Sequence, residues 1–175
     1  MNLSNWIERQ ADFVPGRCAI RFAGEDLSYA ELAQKVNQLA DSLANQLDVS
    51  RGDRVAYLGL NSPEIIVLLF ACARIGAVLA PLNWRLAAPE HIYMLKQAEP
   101  RALFVTPEFV EHVEDISPDI GSVSLIVYGK TRDGWLSYDA LLSQGAETFQ
   151  ASGAIHGDDP VLLCYTSGTT GRRWR

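Results

Sequence analysis

Near the end of the chain an apolar run, Val161-Leu-Leu-Cys-Tyr165, feeds directly into Thr166-Ser-Gly-Thr-Thr-Gly171. Thr166, Ser167, Thr169 and Thr170 each carry a hydroxyl that can donate, while Gly168 and Gly171 allow backbone conformations closed to residues with a Cβ. Successive amides in such a loop can turn inward as an anion-binding concavity. Phosphate oxygens suit that density of donors. A loop leaving the carboxyl end of a strand also lies where open α/β sheets take their ligands. A Walker-type phosphate loop is excluded, because G-x-x-x-x-G-K-[ST] needs a lysine and a spacing that this stretch lacks. A structural turn without a ligand is the other reading that these six residues allow.

Other chemistry finds less support. His91, His112 and His156 occur singly, with no second His or Cys at metal-ligand spacing, so no metal site is expected. His91 and His112 fall in predicted helices and are expected at the surface or half-buried. No G-x-S-x-G elbow is present for a Ser-His-Asp hydrolase. Cys18, Cys72 and Cys164 lie far apart without a C-x-x-C pair, which fits buried thiols in a reducing cytoplasm rather than a disulfide framework. Arg51-Gly-Asp53 is read as a plain turn and not as an adhesion motif.

The elements that must carry the loop are legible. Cys18–Ala23 alternates and turns at Gly24-Glu25 into Asp26–Ser28, a small hairpin. Ser28-Tyr-Ala-Glu31 has the form of a capping box, and the following helix repeats apolar residues at Leu32, Val36, Leu39, Leu43 and Leu47. Hairpin and helix together occupy 18–47. Strand-like runs then fall at Val55–Leu60, Val78–Leu82, Ala102–Thr106, Val123–Tyr128 and Val161–Tyr165. Between them lie helix-like segments at Pro63–Ile75, Pro89–Ala98, Pro107–Ile116 and Ser137–Gln144. This alternation over 54–165 predicts βαβ units: an α/β fold with a parallel sheet and flanking helices on both faces. Residues 145–159 form the one long loop.

Composition narrows the partners. The 175 residues are 48% hydrophobic and 21% charged, an ordinary globular balance, with a formal charge of −6. An acidic surface does not attract phosphate backbones, so nucleic acid is not an expected partner. No basic n-region and apolar stretch open the chain, so no secretory signal is visible. Ile65–Leu82 is apolar with one charge, Arg74, and approaches the length of a membrane span. Ser62-Pro63 as a helix start and Gly76 as its stop divide it into a buried helix and a short strand, so no integral membrane segment is expected.

Tyr165-Thr-Ser-Gly-Thr-Thr-Gly171 resembles the signature loop of the AMP-forming adenylating enzymes, which include acyl- and aryl-CoA synthetases. Ser28-Tyr-Ala-Glu-Leu32, Arg51-Gly-Asp-Arg-Val55, Asn61-Ser-Pro-Glu64, Gly76-Ala-Val78 and Pro81-Leu-Asn-Trp-Arg-Leu86 occur in that family's order and spacing. The last of these resembles the acyl- and aryl-CoA ligase branch. The resemblance runs from about residue 5 to Arg172. It implies the N-terminal part of the large domain of an acyl-CoA synthetase-like fold. It also implies an ATP-dependent ligase that activates a small-molecule carboxylate as an acyl-adenylate and passes it to coenzyme A, with Mg2+ on the phosphates. By the same resemblance, Thr166, Ser167, Gly168, Thr169, Thr170 and Gly171 would cradle the ATP phosphates.

The family loop continues as x-Pro-Lys-Gly, but here Arg172-Arg-Trp-Arg175 follows. The resemblance therefore implies a truncated and catalytically incompetent chain, with no catalytic residue assigned among residues 1–175. The alternative is a retained, non-catalytic binding module. A sheet normally completed by later strands would expose an edge and favour self-association. A shift of reading frame after Gly171 or Arg172 would explain the basic tail. Translation of the following DNA in the other two frames tests this, and the expected outcome is a Pro-Lys-Gly-like continuation in one of them.

Overall fold

The computed structural model describes residues 3–129, 131–151 and 155–165. Helix α1 (Ser4–Phe13) leads to the hairpin β1 (Cys18–Phe22) and β2 (Glu25–Ser28), then to α2 (Tyr29–Asn45). The two strands pair antiparallel, and the turn is at Ala23-Gly24, one residue earlier than the sequence suggests. Both turn residues have positive φ, 51° and 88°, as a two-residue type I′ turn requires. The capping box forms: the Glu31 amide donates to Ser28 Oγ at 3.3 Å, and the Ser28 amide donates to the Glu31 carboxylate at 2.8 Å. Leu32, Val36, Leu39 and Leu43 are buried as the stripe predicts, whereas Leu47 is only half-buried.

The main sheet contains β3 (Arg54–Leu58), β4 (Val78–Pro81), β5 (Ala102–Val105), β6 (Ser124–Val127) and β7 (Leu136–Ser137), in the order β4-β3-β5-β6-β7. All of its pairings are parallel. Connecting helices are α3 (Pro63–Ile75), α4 (Ala88–Ala98) and α5 (Val110–Ile116), and α6 (Tyr138–Gln144) follows β7. Side chains alternate across the sheet as period-two strands require. Val55 and Tyr57 join one core with Leu39, Leu43 and Leu68, whereas Ala56 and Leu58 join the other with Leu95 and Val113. Hence α1, α2, α3 and α6 cover one face and α4 and α5 the other.

Several expectations need correction. Neither α1 nor β7 is foreseen, and Pro107–Ile116 divides into a single 3-10 turn (Pro107–Phe109) and α5. Helix α3 matches its expected bounds, with Gly76 left-handed at φ 75° as its stop. However, the Ser62 hydroxyl does not cap it; it lies instead against the Tyr57 phenol and lowers that group's pKa, partly offsetting the effect of burial. Of the three cysteines expected to be buried, only Cys72 is, while Cys18 and Cys164 are exposed. Among the described residues no helix is long and apolar enough to cross a membrane.

Polar groups fasten the outer layer. Arg74, buried at the end of α3, pairs with Glu8 of α1 and donates to the Phe149 carbonyl at 3.3 Å. Ser42 of α2 donates to the Leu141 carbonyl of α6 at 2.6 Å inside the core. Beside it Gly145 lies so close to α2 that a Cβ would stand 2.8 Å from Gln38 Cα, closer than any side chain tolerates. Leu39 lies at the centre of this layer and is fully buried. Leu39→Ala removes that packing and leaves a cavity, so it is expected to cost about 2–5 kcal/mol. Urea denaturation measures the loss, and a cost below about 1 kcal/mol would show that the layer collapses to fill the gap.

Candidate functional site

The chain reaches its Gly/Ser/Thr loop along the free edge of β4. The Leu79 amide donates to the Val161 carbonyl at 2.9 Å, and the Leu163 amide to the Leu79 carbonyl at 2.8 Å. This is a single parallel bridge, Leu79 to Leu162, and not the full strand expected over Val161–Tyr165. The side chains nevertheless alternate: Leu162 and Cys164 are exposed, and Val161, Leu163 and Tyr165 are half-buried. Tyr165 packs against the α4–α5 core and donates its hydroxyl to the Met94 carbonyl at 3.2 Å. Partial burial raises the Tyr165 pKa, so the phenol stays a neutral donor. The segment runs parallel to β4, so Tyr165 lies toward the carboxyl edge of the sheet. Thr166, Ser167, Gly168, Thr169, Thr170 and Gly171 lie outside the described residues.

The approach to this edge is clamped by charge. Arg51 Nε donates to Asp159 Oδ2 at 2.9 Å, and the His156 amide donates to the same oxygen at 2.9 Å. Arg51 and the His156 amide hold the Asp159 carboxyl below its usual range. Arg51 belongs to the turn over Ser50–Asp53, in which the Ser50 amide donates to the Asp53 carboxylate at 2.9 Å. The turn expected there is thus present, and its arginine holds the residue two before Val161.

At the carboxyl edge itself, β3 sends its chain to α3 on one face and β4 and β5 send theirs to the other. Such a switch in direction opens a crevice in α/β sheets. Gly59 follows β3 there, and a Cβ on it would lie 2.7 Å from Tyr57 Oη and 2.8 Å from Thr106 Oγ1. Only glycine fits between them. Tyr57 Oη donates to the Leu60 carbonyl at 2.6 Å, while Thr106 Oγ1 and Tyr128 Oη are buried without a hydrogen-bond partner. Beyond β4, Arg85 stacks 4.4 Å over the Trp84 ring, and Trp84 packs on Phe109 at 6.4 Å between centroids. A cavity of about 610 Å³, lined by Asn37, Arg74 and Phe149 among others, lies at the amino end of the sheet, where α3 finishes, and is remote from this edge.

Sequence reasoning missed one pair. His91 and His112, expected to occur singly at the surface or half-buried, are hydrogen-bonded at 2.8 Å; His112 is half-buried as expected, but His91 is 1% exposed. The available signal was α4's own periodicity: His91, Met94, Leu95 and Ala98 occupy one buried stripe. Among the described residues no group of three His, Cys, Asp or Glu side chains could hold a metal.

These features meet a known family. The chain belongs to the AMP-binding enzyme family, which it matches over residues 7–173. It is 46% identical over 172 residues to an indoleacetate–CoA ligase of Aromatoleum aromaticum, covering 98% of this chain and 34% of that protein. A feruloyl-CoA synthase of Amycolatopsis is 37% identical over 170 residues, with 97% of this chain and 32% of that protein covered. The crystal structure of an anthranilate CoA ligase with anthranoyl-AMP superimposes with a TM-score of 0.91 at 27% identity, covering 98% of this chain and 33% of the other. The chain thus spans about a third of the length of the relatives it matches.

Because Asp159 is depressed in the fold, its contribution to stability is present above the ordinary carboxylate range and is lost as pH falls through its own lower value. Asp159→Asn is expected to speed amide hydrogen exchange at Leu79 and Leu163 at neutral pH, and to flatten the acid limb of the stability curve. Unchanged exchange at both amides would show that Arg51 does not hold this segment.

Proposed function

We propose that the chain is the N-terminal third of an ATP-dependent ligase that joins an aryl or arylalkyl carboxylate to coenzyme A. The observation that carries this reading is the intact Tyr165–Gly171 sequence, which follows a segment running to the carboxyl edge of the sheet, in a chain that belongs to the AMP-binding family. The similarity to indoleacetate and feruloyl ligases supports an aromatic acid more than a fatty acid. In the reaction a carboxylate oxygen bonds to the α-phosphorus of ATP. The bond from that phosphorus to the bridging oxygen breaks, and pyrophosphate leaves with the electron pair. The coenzyme A thiolate then attacks the acyl carbon and AMP departs. The loop's part is to hold the β- and γ-phosphates with amides and the Thr169 and Thr170 hydroxyls, which is positioning and charge stabilisation.

In this reading the 175-residue chain performs no adenylation by itself and acts from the cytoplasm. The exposed edge at Val161–Leu163, with Leu162 49% exposed, supports self-association of the isolated chain. Titration of the chain with Mg·ATP is expected to show weak binding that Thr170→Ala reduces by about tenfold, the worth of a hydrogen bond to a charged oxygen. Equal affinity in both proteins, or none in either, overturns the phosphate-loop assignment. No ATP–pyrophosphate exchange is expected from the chain, and exchange above background would overturn its inactivity. Light scattering is expected to show oligomers; a strict monomer would refute association at the edge.

A further inference from the structure

The buried His91–His112 pair has a role that the phosphate loop does not explain. His91 Nε2 lies 3.0 Å from the Asn83 carbonyl oxygen, and its Nδ1 lies 2.8 Å from His112 Nε2. A carbonyl oxygen only accepts, so Nε2 must carry the proton of neutral His91. Nδ1 is then a lone pair, and His112 Nε2–H donates to it. The rings meet edge to face at 5.0 Å between centroids. His112 is half-buried, and its own Nδ1 is free of the pair.

The bonded residues hold distant segments together. Asn83 anchors the turn after β4: its carbonyl also accepts from the Leu86 amide at 3.0 Å, and its Oδ1 accepts from the Arg85 amide at 3.1 Å. Trp84 in that turn packs on Phe109, just before α5, which bears His112. One turn beyond His91, the Met94 carbonyl accepts from Tyr165, which precedes the Gly/Ser/Thr loop. We propose that the His91–His112 bond is a proton-gated clamp that holds α5 against α4 and the Asn83–Leu86 turn while His91 Nδ1 is unprotonated, and that releases α5 when that nitrogen is protonated, His91 Nε2–H keeping its bond to the Asn83 carbonyl.

A proton arriving on His91 Nδ1 would face the His112 Nε2–H donor, and the bond between the rings is lost, while His91 Nε2–H still donates to the Asn83 carbonyl. The charged groups acting on His91 are His112 from α5 and Glu90 from its own helix. Glu90 is engaged by the Ala87 amide at 2.9 Å, and the sheet beneath contributes apolar residues such as Leu58, Leu103 and Val105. Burial lowers the His91 pKa, partly offset by the hydrogen bond to the Asn83 carbonyl, with a smaller lowering from His112. A depressed histidine contributes stability that is fully present above about pH 6.5 and is lost as pH falls through its own lower value.

The chain has three histidines, so imidazole nitrogen–proton correlation spectra of the 175-residue protein resolve them without ambiguity. The expected result is the Nε2–H tautomer at neutral His91. At lower pH, protonation of His91 should coincide with a change in the Trp84 indole signal. His112→Gln should abolish that coincidence, because a glutamine amide can donate to neutral His91 and rotate to accept from its protonated form. An Nδ1–H tautomer at neutral His91 overturns the proposal, as does protonation of His91 with no change at Trp84. An acid change at Trp84 that persists unaltered in His112→Gln also overturns it. If that variant fails to fold, the wild-type tautomer and the coincidence of the His91 and Trp84 signals decide alone.

Discussion

The place of β3 between β4 and β5 governs the rest of the structure. Parallel neighbours need crossovers, and right-handed crossovers put a helix on one face when the chain steps to one side and on the other when it steps back. The step from β3 to β4 sends α3 to one face. The return past β3 to β5 sends α4 to the other, and α5 follows in the same direction. This arrangement buries the two central strands, with Val55–Leu58 of β3 at most 1% exposed and Ala102–Val105 of β5 fully buried. It also opens the carboxyl edge, to which the chain returns before Thr166.

Polar groups then join parts of the chain that the sheet alone does not connect. Arg74 ties α3 to α1, Arg51 ties the turn before β3 to Asp159, and His91 ties the turn after β4 to α5. A buried charge or imidazole without a partner is costly, so Arg74 and His91 each specify one arrangement of otherwise apolar layers, whereas Arg51 is exposed. The first lies at the amino end of the sheet, as Arg74 closes α3, and the third at the carboxyl end. Only the carboxyl end combines a switch in direction, buried hydroxyls with unfilled hydrogen-bonding capacity and the approach to the Gly/Ser/Thr loop.

Much of this was legible residue by residue. The Ser28–Glu31 box, the stripe from Leu32 to Leu43 and the bounds of α3 follow from local rules acting over one or two helical turns. Helix α1 escaped notice because only Ile7 on it is buried, too little for a stripe to form. Strand β7 is two residues long, shorter than any pattern can mark. The Val161–Tyr165 segment has strand alternation but a single bridge, because it borders β4 on one side only. His91 was expected at the surface or half-buried, whereas it completes the buried stripe of α4 with Met94, Leu95 and Ala98.

The sequence by itself determined the alternation of strands and helices, the Ser28–Glu31 cap, and a Gly/Ser/Thr stretch following an apolar run, since these depend on residues within a few positions of one another. Only the tertiary structure decided that Arg51 meets Asp159, that His91 meets His112, that Gly59 must be glycine against Thr106, and that the loop's leading segment lies on the free edge of β4. Those contacts join residues that are adjacent only after the crossovers are made. Strand order and register, set by burial on both faces of the sheet, bring them together.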